Sequence, residues 1–133
     1  MIIDEKLIDE LFQRAEENPR KRVNYDMRTS PEDGSQRMLN ALLPGTVVAV
    51  HRHPNSNENV ILITGRMDEV LYEVTEGQLV ETERFHLCPA EGRYGCQVPK
   101  GVWHTVEVIE PSVIYEAKDG KYGEDGSEMY STV

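Results

Sequence analysis

The chain has 133 residues, of which 38% are hydrophobic and 29% are charged, and it carries a formal net charge of −10. This size and composition are typical of one globular domain that forms its core without disulfides. The acidic excess argues against a nucleic-acid partner, because phosphate backbones are bound by surplus Lys and Arg. The single basic cluster, Arg20-Lys21-Arg22, is predicted to be solvated surface.

Two features of the sequence predict a cytoplasmic protein with no membrane partner. No apolar run approaches the ~20 residues that a membrane helix needs. The first six residues, MIIDEK, lack the basic stretch and apolar core of a signal peptide. Cys88 and Cys96 do not form a CxxC motif, and they are expected to be reduced thiols.

Residues 1–20 are predicted to form a helix that packs on the rest of the domain. Asp4 is a plausible N-cap, and Asn18-Pro19 should end the helix because the residue before proline avoids the α region. One apolar stripe recurs at helical spacing, formed by Leu7, Ile8, Leu11, Phe12 and Ala15.

Residues 21–120 are predicted to be β throughout, because short Val-, Ile-, Leu- and Tyr-rich segments alternate with Gly, Pro and Asn. Turns are predicted at Gly65 and at Glu110-Pro111, and a hairpin loop at Glu76-Gly77. Residues 121–133 are expected to be an irregular tail. The fold predicted from this pattern is all-β, a small single-domain jelly-roll barrel with an N-terminal helix. The predicted strands are residues 47–51, 60–63, 69–74, 78–82, 94–98, 104–108 and 113–116.

Three histidines and one glutamate form a spaced set that predicts a metal site. His51 and His53 are two apart on a predicted strand, so both side chains should point to the same face. Glu58 follows a four-residue loop, and His104 follows the turn at residues 99–101. Three imidazoles and one carboxylate suit a first-row transition metal.

A lone His-X-His motif on an exposed strand often binds nothing, so the surrounding residues decide the interpretation. Here Gly45 and Gly65 frame the first group, and a Pro-X-Gly-X-X-His segment carries His104. His86 has no such frame and is predicted to be a surface residue.

The two groups resemble the two motifs of the cupin family. The first has the spacing of cupin motif one, and the second resembles motif two, except that Gly92 is one position early and Val108 stands where Asn is frequent. More narrowly, the chain resembles WbuC-type cupin-fold metalloproteins. That resemblance implies a bound metal and a role in surface-polysaccharide biosynthesis. It is carried by the runs QRMLNAL at 36–42, HRHP at 51–54, GVWHTV at 101–106 and YEAKDGKY at 115–122.

Four protein ligands would leave two positions open on a six-coordinate Fe, Mn, Ni or Zn ion. Two open positions suit a small oxygen-rich molecule such as a sugar diol or a hydroxy-acid. The chemistry could be that of a metal-dependent isomerase, epimerase or oxygenase. The alternative is a non-catalytic cupin that binds or senses a small ligand, since one fold supports both.

Four further residues are candidates for ligand contact. Glu116 is a candidate general base, or else an ordinary solvated carboxylate. The adjacent Tyr115 is a candidate for substrate binding, although neighbours on a strand face opposite sides. Arg37 and Asn40 lie on a predicted strand that leads to the first motif. Arg37 could pair with a carboxylate or phosphate, or be an ordinary surface arginine.

Three side chains are expected to support the site indirectly. Trp103 is expected to pack between layers, because it should face away from His104. Gln36 and Gln97 are expected to orient histidines. The protein is further expected to form a homodimer, since small barrels expose sheet edges that pairing can cover.

Overall fold

The computed structural model describes residues 1–131, and it confirms the predicted all-β barrel with one N-terminal helix. No helix within this range is long and apolar enough to cross a membrane. Helix α1 spans Glu5–Glu17, and one 3-10 turn spans Pro89–Glu91. The strands described in this range are β1 Arg22–Asp26, β2 Ser35–Leu42, β3 His51–Arg52, β4 Glu58–Thr75, β5 Gln78–Leu87, β6 Gly95–Val98, β7 Trp103–Asp119 and β8 Glu128–Met129.

Helix α1 begins and ends where the sequence predicts. The Asp4 carboxylate accepts a hydrogen bond of 3.0 Å from the Leu7 amide, and Asn18 caps the other end. The apolar stripe of the helix packs on the outer face of β2 and β7. The buried side chains of this cluster are Leu11, Ala15, Leu39, Ala41 and Val113.

The two longest strands, β4 and β7, run antiparallel along their whole length and bend together. The predicted turns at Gly65 and at Glu110-Pro111 are therefore wrong. Gly65 has φ 109, and a Cβ there would overlap the Ser112 hydroxyl and the Pro111 carbonyl. Gly65 thus permits a close backbone approach at a bulge, where the register of the two strands shifts.

The bend divides the sheet into the two halves of the barrel. The first half of β4 and the second half of β7 pair with β6 and β2, and β1 adds to β2. The other halves pair with β5 and β3, and β8 adds to β3. The barrel interior holds a second apolar cluster of Leu42, Val60, Leu62, Met67, Leu87 and Ile114.

The strand predicted at residues 47–51 is mostly absent, since only His51–Arg52 pairs regularly. Side chains bind the carbonyls of this segment in place of a ladder. Arg22 Nη1 donates to Val47 O at 2.6 Å, and the Thr105 hydroxyl donates to Val48 O at 2.6 Å.

The predicted hairpin at Glu76-Gly77 is confirmed. Thr75 pairs with Gln78, and both loop residues have positive φ, as a type I′ hairpin turn requires. In the segment predicted to be an irregular tail, β8 pairs with β3 beside the histidines.

Candidate metal centre

The four predicted ligands come together at one end of the barrel. His51 on β3 lies directly opposite His104 on β7, and His53 follows β3. The ring centroids of the three histidines are 4.2 to 5.2 Å apart. Glu58 opens β4 and pairs with Lys118 of β7, so it reaches the histidines from a strand that is not paired with β3.

Hydrogen bonds to the Nδ1 atoms fix the tautomers of the histidines. His51 Nδ1 lies 2.8 Å from Ala49 O, and His104 Nδ1 lies 2.9 Å from Val102 O. A carbonyl oxygen only accepts, so each Nδ1 must carry a proton. In a neutral ring Nε2 then has a free lone pair, which is the form that binds a metal. Burial keeps both rings neutral, lowering the pKa of His51 and lowering that of His104 to about 4.

His53 is oriented by a longer chain of hydrogen bonds. Its Nδ1 lies 2.7 Å from Ser127 Oγ, and the Ser127 hydroxyl donates to Asp125 Oδ1 at 2.7 Å. Because the hydroxyl proton goes to the carboxylate, His53 Nδ1 acts as the donor to Ser127 Oγ. Gln36 Nε2 donates to Asp125 Oδ2 at 2.8 Å. Although burial opposes ionisation of Asp125, the bonds from Ser127 and Gln36 lower its pKa to about 2.

The side-chain atoms that face one another in the site are hydrogen-bond acceptors that lack donors. Within the described part of the chain, His53 Nε2, His104 Nε2 and Glu58 Oε2 are buried and have no hydrogen-bond partner. His53 Nε2 lies 2.9 Å from Glu58 Oε2, and His104 Nε2 lies 3.9 Å from Glu58 Oε1. Bonds of ~2.1 Å to one ion place adjacent ligand atoms about 3 Å apart and opposite ones about 4 Å apart. The donor set therefore fits a transition-metal ion.

A second carboxylate, missed by the sequence analysis, faces the same space. Glu69 on β4 is 1% exposed, and its Oε2 has no partner among residues 1–131. Ligand atoms of Glu58, Glu69 and His104 lie within 4.8 Å of one another, as do those of the three histidines. Burial, followed by the charges of Glu58 and Glu116, raises the pKa of Glu69 well above its ordinary value.

Lys118 forms ion pairs with Glu58 and Asp125. Its Nζ lies 3.6 Å from Glu58 Oε2, 3.8 Å from Asp125 Oδ2 and 3.4 Å from His53 Nδ1. Burial alone would raise the pKa of Glu58, but its pKa is lowered, and with both histidine rings neutral the charge responsible is the Lys118 ammonium. Glu58 is therefore an ionised carboxylate, as a metal ligand must be.

A cavity of about 150 Å³ inside the barrel opens onto the site. His51, His104 and Glu58 line it from one side, and Asn40 and Glu116 line it from another. Asn40 Nδ2 donates to Glu116 Oε1. Burial and the charge of Glu58 raise the pKa of Glu116 to about 8.

A family model described as "Domain of unknown function (DUF6016)" matches residues 3–85. The chain belongs to this family. The matched segment of the DUF6016 chain carries His51, His53 and Glu58, whereas His104 lies beyond it. No curated protein matches the sequence.

Solved structures show which fold the DUF6016 chain has. TT1209 from Thermus thermophilus is 22% identical with a TM-score of 0.63, and the match covers 90% of this chain and 96% of that one. Oxalate oxidase in complex with the substrate analogue glycolate is 12% identical with a TM-score of 0.62, over 84% of this chain and 56% of that one. CapF with the inhibitor 3-isopropenyl-tropolone is 16% identical with a TM-score of 0.61, and the match covers 81% of this chain and 31% of that one. The fold is that of the cupins.

The structure places two predicted ligand-binding residues outside the cavity. Tyr115 packs against the helix cluster on the other face of β7. Arg37 donates to Asp33 Oδ2 at 2.7 Å and to Thr29 Oγ1 at 3.3 Å at the surface. Side-chain direction on a strand alternates, so Glu116 and Asn40 face inward while Tyr115 and Arg37 face outward.

Two expectations about supporting residues are wrong. Trp103 is partly exposed rather than packed between layers, and the Arg52 guanidinium lies 4.5 Å from its ring centroid. Gln97 donates to Asn59 and makes no hydrogen bond to a histidine within residues 1–131, whereas Gln36 reaches His53 through Asp125 and Ser127. His86 is partly exposed and contacts Asp68 at 2.7 Å.

Proposed function

We propose that this protein binds one divalent transition metal, Fe, Mn, Ni or Zn, through His51, His53, Glu58 and His104. The observation that carries this proposal is the set of buried, unpartnered acceptor atoms on His53, His104 and Glu58. Acceptors in contact repel one another and have lost their hydration, so their arrangement is costly unless a cation lies between them.

The proposed ligand of the centre is a small oxygen-rich molecule of the sugar or hydroxy-acid type. The cavity beside the histidines has about 150 Å³, which is room for a small molecule rather than for a polymer. Glycolate and tropolones, the compounds named in the oxalate oxidase and CapF structures, each offer two adjacent oxygens. Two adjacent oxygens suit the two positions that four protein ligands leave on a six-coordinate ion.

We further propose proton-transfer chemistry of the isomerase or epimerase type. A bound divalent metal acts as a Lewis acid that polarises a ligand oxygen and makes the neighbouring C–H more acidic. Glu116 lines the cavity, and its position is fixed by the bond from Asn40. Glu116 would take the proton from the carbon next to the polarised group, and Asn40 would hold its carboxylate in place.

The narrower resemblance to WbuC-type proteins gives the proposal a biological setting. It favours a sugar-like ligand in surface-polysaccharide biosynthesis. The homodimer also remains a proposal; partly exposed apolar side chains such as Ile61 and Ile109 are available to such an interface.

The metal proposal is tested by elemental analysis of protein purified without added metal. We expect close to one equivalent in the wild type and none in the His51→Ala/His53→Ala variant. His86→Ala is the matched control, because it removes a histidine that is not at the site. Full occupancy in the double variant would contradict the proposed centre.

The ligand and the chemistry are tested on cobalt-substituted protein. Glycolate and tropolone should change the visible spectrum and raise the melting temperature of the metal-loaded form alone, whereas acetate should do little.

For proton transfer, a bound hydroxy-acid should exchange its C–H for deuterium in D₂O, measured by NMR. Glu116→Gln should keep the spectral change and lose the exchange. Exchange at the wild-type rate in Glu116→Gln would rule out this role for Glu116.

A further inference from the structure

A groove of about 370 Å³ adjoins the inner cavity and reaches His51 of the proposed metal centre. It shares His51, Asn40, Arg22 and Glu116 with the inner cavity, so a ligand in the cavity can extend into it. The groove is cationic although the chain as a whole carries a net charge of −10. Its charged lining residues are Arg20, Arg22 and Lys118 against Glu116 alone.

Two of these cations have no acidic partner. Lys118 lies between Glu58 and Asp125, but no carboxylate within residues 1–131 forms an ion pair with Arg20 or Arg22. Most other arginines of the chain are paired; Arg84, for example, contacts three acids. Unpaired arginines side by side repel each other. Burial and the charge of Arg20 accordingly lower the pKa of Arg22.

Arg20 and Arg22 both line the groove, and the residue between them does not. Lys21 has φ 56, which turns the chain so that the Lys21 side chain lies near Gly45 rather than in the groove. The Thr46 hydroxyl donates to Arg20 O at 2.7 Å. Arg22 Nη1 donates to Val47 O at 2.6 Å and to Thr46 Oγ1 at 3.4 Å, whereas its Nε and Nη2 groups make no hydrogen bond within the described residues. The prediction that this basic cluster is merely solvated surface therefore does not describe Arg22, which lines the cavity.

We infer that Arg20 and Arg22 form an anion subsite, so that the ligand of the proposed centre carries a phosphate or carboxylate group at the end remote from its metal-chelating oxygens. Guanidinium groups bind both anions through paired N–H donors. This inference rests on the proposed function for the chelating end of the ligand. The subsite itself stands on the groove and its unpaired arginines.

The first arm of the test uses inorganic phosphate and the metal-free protein. Phosphate should bind at millimolar concentration, measured by ³¹P line broadening, and Arg20→Gln should weaken binding at least about threefold. Arg20 is exposed and its side chain makes no hydrogen bond to residues 1–131, so this variant should fold normally. Arg20→Gln/Arg22→Gln should abolish binding, whereas Lys6→Gln/Arg14→Gln removes two exposed charges from α1 and should leave it unchanged.

The second arm compares D-glycerate with 3-phosphoglycerate on metal-loaded protein. Both offer adjacent hydroxyl and carboxylate oxygens, but only the second carries a distant phosphate. Wild-type protein should bind 3-phosphoglycerate at least about tenfold more tightly, and the Arg20→Gln/Arg22→Gln variant should bind the two compounds within about twofold. Malate has the same chelating oxygens and a distant carboxylate in place of the phosphate. Its affinity, compared with that of 3-phosphoglycerate, therefore shows which of the two anions the subsite prefers.

The possible outcomes test the anion subsite and the proposed ligand chemistry separately. If glycerate binds, but inorganic phosphate does not bind and 3-phosphoglycerate binds no more tightly than glycerate, the anion subsite is wrong and the proposed centre stands. If phosphate binds in the groove but neither acid binds to metal-loaded protein, the subsite stands and the proposed ligand chemistry is wrong. If the preference for 3-phosphoglycerate survives in the double variant, another residue binds the anion and the inference fails.

Discussion

Ser127→Ala should weaken metal binding about tenfold, although Ser127 lies 74 positions from His53 in the sequence and is not itself a ligand. The substitution removes the hydroxyl that accepts from His53 Nδ1 and donates to Asp125 Oδ1, both at 2.7 Å. His53 Nδ1–H would then lack its partner, and the ring could rotate or change tautomer.

The magnitude follows from the position of Ser127 in the hydrogen-bond chain. Groups that orient a metal-binding histidine change metal affinity by about 10- to 100-fold when mutated. We expect the lower end of that range, because His51, Glu58 and His104 keep their own contacts. A tenfold loss corresponds to about 1.4 kcal/mol. Asp125→Asn should have a similar effect, since the amide is a weaker acceptor for the Ser127 hydroxyl.

Metal affinity is measured by competition with a chromogenic chelator. Ser30→Ala is the matched control, because Ser30 is an exposed loop serine whose hydroxyl accepts from the Glu32 amide rather than from a histidine. Linkage requires the reverse effect as well: metal should protect the segment around Ser127 from proteolysis. An affinity within about twofold of wild type for Ser127→Ala would refute the orienting role.

The remaining predictions concern stability and assembly. Gly65→Ala should destabilise the fold by at least about 2 kcal/mol, because φ is positive there and the new Cβ overlaps backbone; thermal melting should show this, whereas Gly34→Ala, with open space around it, should change little. Glu69→Met should raise the melting temperature of metal-free protein, because it removes a buried unpartnered carboxyl group; a lower value would show that Glu69 stabilises the fold. Light scattering should give twice 15.2 kDa for the proposed homodimer; a mass of one chain would exclude it.

The grouping of the candidate ligands could be predicted from the sequence because the first three lie within eight residues. Strand periodicity places His51 and His53 on one face, and a frame of glycines identifies the segment. The hydrogen-bond chain through Ser127 and Asp125 has no such signal, since a tail residue can contact any part of the barrel. Glu69 did have a signal that was overlooked. It stands between Met67 and Leu71 on the apolar face of an alternating strand, where a carboxylate is unusual.

The errors in the predicted fold come from sequence features that are compatible with two different local structures. A glycine with positive φ suits a turn or a bulge, and at Gly65 the tertiary contact with Ser112 selects the bulge. Pro111 lacks an N–H and is read as a strand breaker, yet the ladder between β4 and β7 skips this position, so no donor is missed there. The valines within residues 47–50 have high strand propensity, but Arg22 and Thr105 bind the carbonyls of this segment and exclude a ladder partner.

The carboxylates of the barrel interior connect the proposed metal centre with the proposed anion subsite. Glu58, Glu69 and Glu116 line the same cavity, and among the described residues Lys118 is the only lysine that lines it or the adjoining groove. Buried carboxyl groups without cations destabilise a fold, so their presence there is better explained by function than by stability. A divalent ion would neutralise the inner end of this space. Arg20 and Arg22 keep the outer end positive, and a ligand with oxygens at one end and an anion at the other complements both.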